Sequence, residues 1–301
     1  MTPGDRDMIG YGRRPPAACW PGNARVALQI VVNYEEGGER SPLDGDDGPE
    51  AYLADVGATS PFVGGRDPSV ESTYEYGSRV GFWRLYRLLT TRAVPVTVFG
   101  VATALSRNPE AVAAMREADW EIACHGLRWL DYRAIDVETE RAHLREAVAL
   151  HTRVTGSRPL GWYTGRASIH TRELVIEEGG FLYDADSYAD ELPYWVATRG
   201  RAHLVIPYTL DQNDMRFALS PGFSDARDFH AYLRDAFDVL WAEGATAPRL
   251  MSIGLHGRLA GRPGRVPGLA RFLDEVLVKD GVWLCRRVDV ARHWQTAHPP
   301  R

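Results

Sequence analysis

An α/β fold whose parallel sheet closes into a barrel is the architecture this sequence predicts, and three observations point there. Apolar, β-branched segments recur along the chain, amphipathic segments of helical period stand between them, and polar or ionisable groups gather just past the same end of most apolar segments. Strands alternating with helices of this length make βαβ units. In such folds the chemistry lies beyond the carboxyl ends of the strands. The 301 residues fit one domain, 1–301, with an irregular insertion at about 37–71.

The first strand, 26–33, reads Val-Ala-Leu-Gln-Ile-Val-Val-Asn, apolar on both faces as a covered parallel strand requires. It breaks into Tyr34-Glu35-Glu36-Gly37-Gly38. The insertion that follows is rich in Gly, Asp and Pro and reads as a long functional loop. Its Asp44-Gly-Asp46-Asp47-Gly48 lacks the later ligands of a calcium loop and reads as a solvated turn. Helical periodicity covers 72–91, followed by a strand at 95–100, a helix at 109–118, a strand at 121–125 and a helix at 137–154. Strands at 160–163 and 181–184 flank a helix at 170–178. A strand at 203–207, a helix at 226–242, a strand at 250–256, a helix at 266–278, a strand at 282–286 and a helix at 289–295 complete the series.

Composition narrows the function. A hydrophobic content of 45% with 9 Trp supports a large core, and no apolar run approaches the ~18 residues of a membrane span. Net charge -5, with no basic block longer than two residues, argues against a nucleic-acid partner. Lys279 is the only lysine; the Arg-rich usage reflects coding bias, so a single Arg carries little weight. Cys19, Cys124 and Cys285 lie far apart without C-x-x-C, which indicates neither disulfides nor a zinc ribbon. Residues 1–21 lack the apolar core of a secretory signal, so the expected setting is cytoplasmic.

Comparison of the strand ends brings out candidate chemistry. The first gives Glu35-Glu36, the third His125 to Trp129, the fourth Trp162-Tyr163-Thr-Gly-Arg166, the fifth Asp184-Ala-Asp186. The sixth is followed by Asp211, Asn213, Asp214 and Arg216, and the seventh ends in His256-Gly-Arg258. A carboxylate and an imidazole on opposite rims of one pocket suit hydrolysis: the carboxylate activates water and the imidazole protonates the leaving nitrogen. Glu35 or Glu36 is the candidate base, the choice depending on strand register, and His256 the candidate acid. Cys124, one residue before His125, points to the other side of its strand and reads as core. Trp162 and Tyr163 alternate, so at most one faces the pocket. No G-x-S-x-G elbow, H-E-x-x-H helix, P-loop or dinucleotide fingerprint occurs.

These residues resemble the NodB-type polysaccharide deacetylases. Asn33-Tyr-Glu35-Glu36-Gly37 stands at their T-F-D-D-G motif, His125 at the first histidine of H-x-x-x-H, Asp184-Ala-Asp186-Ser at the fourth motif and Leu255-His256 at the late leucine-histidine pair. The resemblance implies a distorted (β/α) barrel of about seven parallel strands, with the first acid as base, the late histidine as acid, and the second acid binding a metal with both histidines. The departures are specific. Both aspartates are glutamates, Trp129 replaces the second histidine, and the third motif reads Gly161-Trp-Tyr-Thr-Gly-Arg166. A catalytic zinc needs three protein ligands, and Glu36 with His125 supplies two. Zinc is possible on that pair, but no cofactor is expected.

One branch of the family, the uricase-associated allantoinases, is similar over about residues 18–296. The matches include Asn33–Glu39, Glu71–Arg79, Ile122–Gly126, Arg158–Arg166, Pro207–Asp211 with Asn213–Phe217, and Gly261–Arg265. The resemblance implies opening of the hydantoin ring of allantoin to allantoate without a required metal, in a homotetramer. Glu35, Glu36 and His256 would be catalytic. His125, Trp129, Tyr163, Arg166, Asp211, Asn213, Asp214 and Arg216 would bind a small ureide or cyclic imide by hydrogen bonds and stacking. The alternatives are a metal-dependent N-deacetylase of polysaccharide or peptidoglycan, a cyclic imide hydrolase, and a catalytically dead barrel that only binds.

Overall fold

The computed structural model describes residues 6–56, 63–198 and 200–300, so the 57–62 part of the expected insertion lies outside the described residues. The strands are β1 (Val26–Tyr34), β2 (Val96–Gly100), β3 (Glu121–Cys124), β4 (Gly161–Trp162), β5 (Tyr183–Asp184), β6 (Tyr194–Thr198), β7 (Arg201–Val205), β8 (Arg249–His256) and β9 (Val282–Leu284). They form one sheet in the order β6-β7-β5-β4-β3-β2-β1-β8, and β9 adds to the first three residues of β1. All pairings are parallel except β6 with β7. The parallel strands curl into a half-barrel, the expected α/β architecture and distorted barrel, although among the described residues the sheet path runs open from β6 to β8 rather than closing.

Helices α1 (Pro68–Tyr76), α2 (Phe82–Thr91), α3 (Ala102–Arg107), α4 (Pro109–Glu117), α5 (Val137–Thr155), α6 (Thr171–Glu178), α7 (Ala226–Glu243), α8 (Val266–Val276) and α9 (Arg287–Ala297) complete the fold. Their starts follow from local chemistry. Asp67 accepts from the Ser69 and Val70 amides ahead of Pro68, Asp136 from Thr139, and Asp225 from Arg227 and Asp228, each satisfying N–H groups that the first turn leaves unpaired. Two elements escape the sequence reading. The six-residue α3 is too short to show a period, and β6 is a half-buried strand returning antiparallel onto β7. The segment expected as one helix over 72–91 begins at 68 and contains a π-turn at Gly77–Gly81.

β1 explains the layering. All nine of its residues are buried. Val26, Leu28, Ile30, Val32 and Tyr34 join the cluster shared with α1, α2, α7 and α8, while Ala27 and Val31 join the one formed by Phe99, Ala123, Tyr163, Tyr183 and Tyr208. Alternation along the strand therefore sends odd-numbered residues into the barrel and even-numbered ones to the helices.

The barrel is distorted at the seam between β7 and β8. Among the described residues one isolated bridge, Asn213 to Gly254, spans it. A Cβ at 254 would lie 2.3 Å from Asn213 Nδ2 and 2.4 Å from Tyr208 Oη, so only glycine fits. Beneath the bridge, buried Arg287 donates to Gln29 Oε1 at 2.8 Å, Ser252 Oγ at 2.9 Å and the Pro207 carbonyl at 2.9 Å, bracing β1 and β8 to the end of β7. A groove of about 940 Å3 runs along this seam under residues 6–13 and 15, away from the tips of β1 and β3.

Candidate active site

Strand alternation decides which groups share the cavity. Glu35 continues the inward series of Ala27, Gln29, Val31 and Asn33. His125 follows Ala123, which is inward, and His256 follows Leu250, the inward-facing Ser252 and Gly254. The register lines up the strand ends, with Asn33 beside His256, Tyr34 beside Gly100 and Gly100 beside Cys124. The three side chains consequently converge. Glu35 Oε1 lies 3.3 Å from His125 Nε2 and 3.5 Å from His256 Nε2. Glu35, His125 and His256 are only 1%, 2% and 4% exposed.

Each group is held from behind. His125 Nδ1 faces the Tyr163 carbonyl at 3.1 Å; a carbonyl only accepts, so Nδ1 carries a proton. His256 Nδ1 meets Asp214 Oδ1 at 2.6 Å, while Asp214 Oδ2 accepts from the His256 and Ala260 amides at 2.7 and 2.8 Å. Asp214 thus fixes both the ring and the turn that carries it.

Burial opposes ionisation of Glu35, but the Arg258 guanidinium and the His256 ring outweigh it and hold the carboxyl well below the usual range. Burial also opposes a charged His256, yet Asp214 and Glu35 prevail and push it up to about 9. At neutral pH the pair is a carboxylate facing an imidazolium, one ready to accept a proton and the other to give one. Glu36 points elsewhere. It accepts from the Arg258 amide at 3.2 Å and the Glu35 amide at 3.3 Å, and lies against Gly77 of the π-turn. Burial raises its carboxyl despite Arg258, and Glu35 adds to the rise.

The remaining candidates divide. Tyr163 lines the interior, stacked on Phe99 with centroids 4.6 Å apart, while Trp162 packs outward with Cys124, Leu144 and Phe181. Trp129 is buried between two guanidinium groups, Arg166 at 4.1 Å and Arg258 at 5.2 Å from its ring. Arg166 pairs with Glu50 at 2.9 Å. Asn213 caps the turn Asp214–Phe217 and spans the seam. Two expected ligand-binding groups are displaced from the cluster. Exposed Asp211 accepts from Thr209 and Tyr232, and Arg216 stacks on Phe223 and Tyr232 against α7. Asp184 pairs with Arg172 and His203 on the outer face, and Asp186 caps the Thr164 and Gly165 amides.

Sequence reasoning passed over Arg258. Its Nη2 lies 2.6 Å from Glu35 Oε2 and its Nη1 3.5 Å from Glu36 Oε1. Its position two residues after His256 was a signal, hidden by the abundance of arginine. This guanidinium also decides how well the proposed pair Glu36 and His125 suits a metal. His125 Nε2 is turned to Glu35, both Glu36 oxygens accept backbone amides, and a fixed positive charge stands between the carboxylates. No group of three metal-ligating side chains occurs among the described residues. The residues do not fit a zinc site.

The comparisons agree with this architecture. Residues 63–176 match the family model described as polysaccharide deacetylase. A Schizosaccharomyces pombe protein whose name assigns it to the polysaccharide deacetylases is 43% identical over 314 residues, 98% of each chain. The chain belongs to the polysaccharide deacetylase family and is a hydrolase of carbon–nitrogen bonds. Among solved structures, that of PuuE allantoinase is similar at 54% identity and a TM-score of 0.97, covering 98% of this chain and 99% of that one. A Pseudomonas aeruginosa PAO1 protein, likewise named for polysaccharide deacetylase, gives 55% identity and a TM-score of 0.96 over 98% and 99%.

Proposed function

We propose that this protein is an allantoinase, opening the hydantoin ring of allantoin to allantoate with its own side chains. The observation that carries the reading is the convergence of ionised Glu35 and protonated His256 on one buried point. The similarity to PuuE allantoinase over nearly the whole chain supports it.

Glu35 Oε1 takes a proton from water as the oxygen adds to the ring amide carbonyl beside the ureido-bearing carbon. The developing oxyanion lies in the positive field of the His256 imidazolium; one preorganised donor of this kind is typically worth about 3 kcal/mol. His256 Nε2 then delivers its proton to the departing ring nitrogen, leaving a carboxylate and a second ureido group. Phe99 and Tyr163 give the flat ring an aromatic wall. The buried Nε of Arg166, which makes no hydrogen bond, is available to a ureido carbonyl. Glu50, Tyr52 and Leu53 of the insertion cover the site through Arg166, Trp129 and Arg258, so substrate entry requires this cover to lift.

The test is allantoate formation by purified protein after exhaustive chelation. The reading predicts turnover undiminished by chelator and not raised by added zinc. Absence of ring opening on allantoin, with release of acetate from N-acetylated oligosaccharide only when zinc is supplied, would replace it with the metal-dependent deacetylase.

A further inference from the structure

We propose that Arg258 is the built-in cation of this site, a guanidinium that occupies the place and supplies the charge of a divalent metal between Glu35, Glu36 and His125. The inference deepens the ring-opening reading and rests on it for its kinetic part only.

The geometry is that of a fixed group. Arg258 is 0% exposed, and its Nε donates to the Leu53 carbonyl at 3.1 Å while Nη2 and Nη1 reach the two glutamates. Its planar head lies 4.5 Å from the Tyr74 ring and 5.2 Å from that of Trp129, whose faces stabilise a desolvated cation. Trp129, at the position of the absent second histidine, thus shelters a cation instead of coordinating one. The chain enters this corner through close backbone packing. A Cβ on Gly81 would lie 1.9 Å from the Gly257 carbonyl oxygen, so the π-turn presses directly on the residue between His256 and Arg258.

The electrostatic reason is plain. Adjacent carboxylates in a buried space do not both ionise without a counter-charge, and a buried charge is tolerated only when paired and hydrogen-bonded. Arg258 meets both conditions and keeps Glu35 in the form that accepts a proton. The same positive charge repels a second cation, which accounts for the poor fit of a metal. Removal of the guanidinium leaves Glu35 and Glu36 as adjacent buried carboxylates without their counter-charge, which a divalent cation can then supply. Arg258 acts through Glu35 and is therefore a positioning residue.

The experiment uses the full chain with Arg258→Ala, Arg258→Gln and Arg258→Lys, each checked by thermal melting. Calorimetric titration with zinc alone is expected to show no site at this position in the parent, one in Arg258→Ala, and its loss when Glu36→Gln is added. In ureide turnover, kcat of Arg258→Ala should fall about 100-fold, the effect typical of losing one preorganised electrostatic group. Non-denaturing guanidinium should restore part of it. Lys, which keeps the charge, should retain about tenfold more kcat than Gln, a difference of ~1.4 kcal/mol. A folded Ala variant that takes up no zinc and ignores guanidinium overturns the proposal. If the Ala variant does not fold, equal kcat in Lys and Gln overturns it. A parent inactive on allantoin rejects the ring-opening reading alone, because the zinc titration still reports on Arg258.

Discussion

Asp214→Asn is the substitution that most sharply separates a proton-delivering His256 from a merely packed one. Asp214 receives the His256 ring at 2.6 Å through one oxygen and two backbone amides through the other. Asparagine keeps the shape, but its NH2 group must face either the ring N–H or the amides, and its neutral head no longer supports an imidazolium. In the parent, His256 is raised from 6.5 to about 9, equivalent to about 3 kcal/mol favouring the charged ring. Asp214 is the larger attractive contributor and Glu35 the smaller. Losing Asp214 should therefore bring the alkaline limb of kcat/KM down from near pH 9 by roughly one to two pH units. The assay is allantoate formation measured across the neutral and alkaline range for both proteins. Stability follows the same linkage. The folded-state value lies above the unfolded one, so the stabilisation is fully present below about pH 6.5 and disappears as pH rises through about 9. Denaturant midpoints of the parent should fall over that window, and those of the Asn variant should fall less. An alkaline limb that stays near 9 in the variant would refute the assignment of His256 as the acid.

Three further outcomes are expected. Glu35→Gln keeps the volume but cannot accept the proton, so turnover should drop about 10²–10⁴-fold while ureide binding, read by calorimetry, persists. Gly81→Ala forces a methyl group against the Gly257 carbonyl; thermal melts should show about 1–3 kcal/mol of destabilisation, with kcat lowered because the displaced turn carries His256 and Arg258. Arg216→Ala should leave KM and kcat at parent values, since its guanidinium stacks on Phe223 and Tyr232 rather than facing Glu35.

Much of this site is legible in the sequence because parallel strands carry their information locally. The unbroken apolar run of β1 marks a strand covered on both faces with the glutamate pair at its end, and once the fold shows Ala27 facing inward, counting by twos reaches Glu35. The same alternation limits the pocket to one of Trp162 and Tyr163, and the fold shows that it is Tyr163. What escaped were features fixed by turns and by long-range partners. Within Asp211 to Arg216 only the fold shows that Asp214 alone points at His256, because a turn has no period to count. Arg258 was masked by its many sister arginines, and its significance appears only when Glu35, Glu36, Tyr74 and Trp129 close around it. The π-turn is invisible for a related reason: the roles of Gly77 and Gly81 inside the helical period of 72–91 appear only in their contacts with Glu36 and Gly257.

A crystal structure with a slowly turned-over hydantoin bound tests the central claim most directly. The ring amide should lie between Glu35 Oε1 and His256 Nε2, parting the 3.5 Å contact that now joins them. Ligand density confined to the seam groove under residues 6–13 and 15, with that contact intact, would contradict the account.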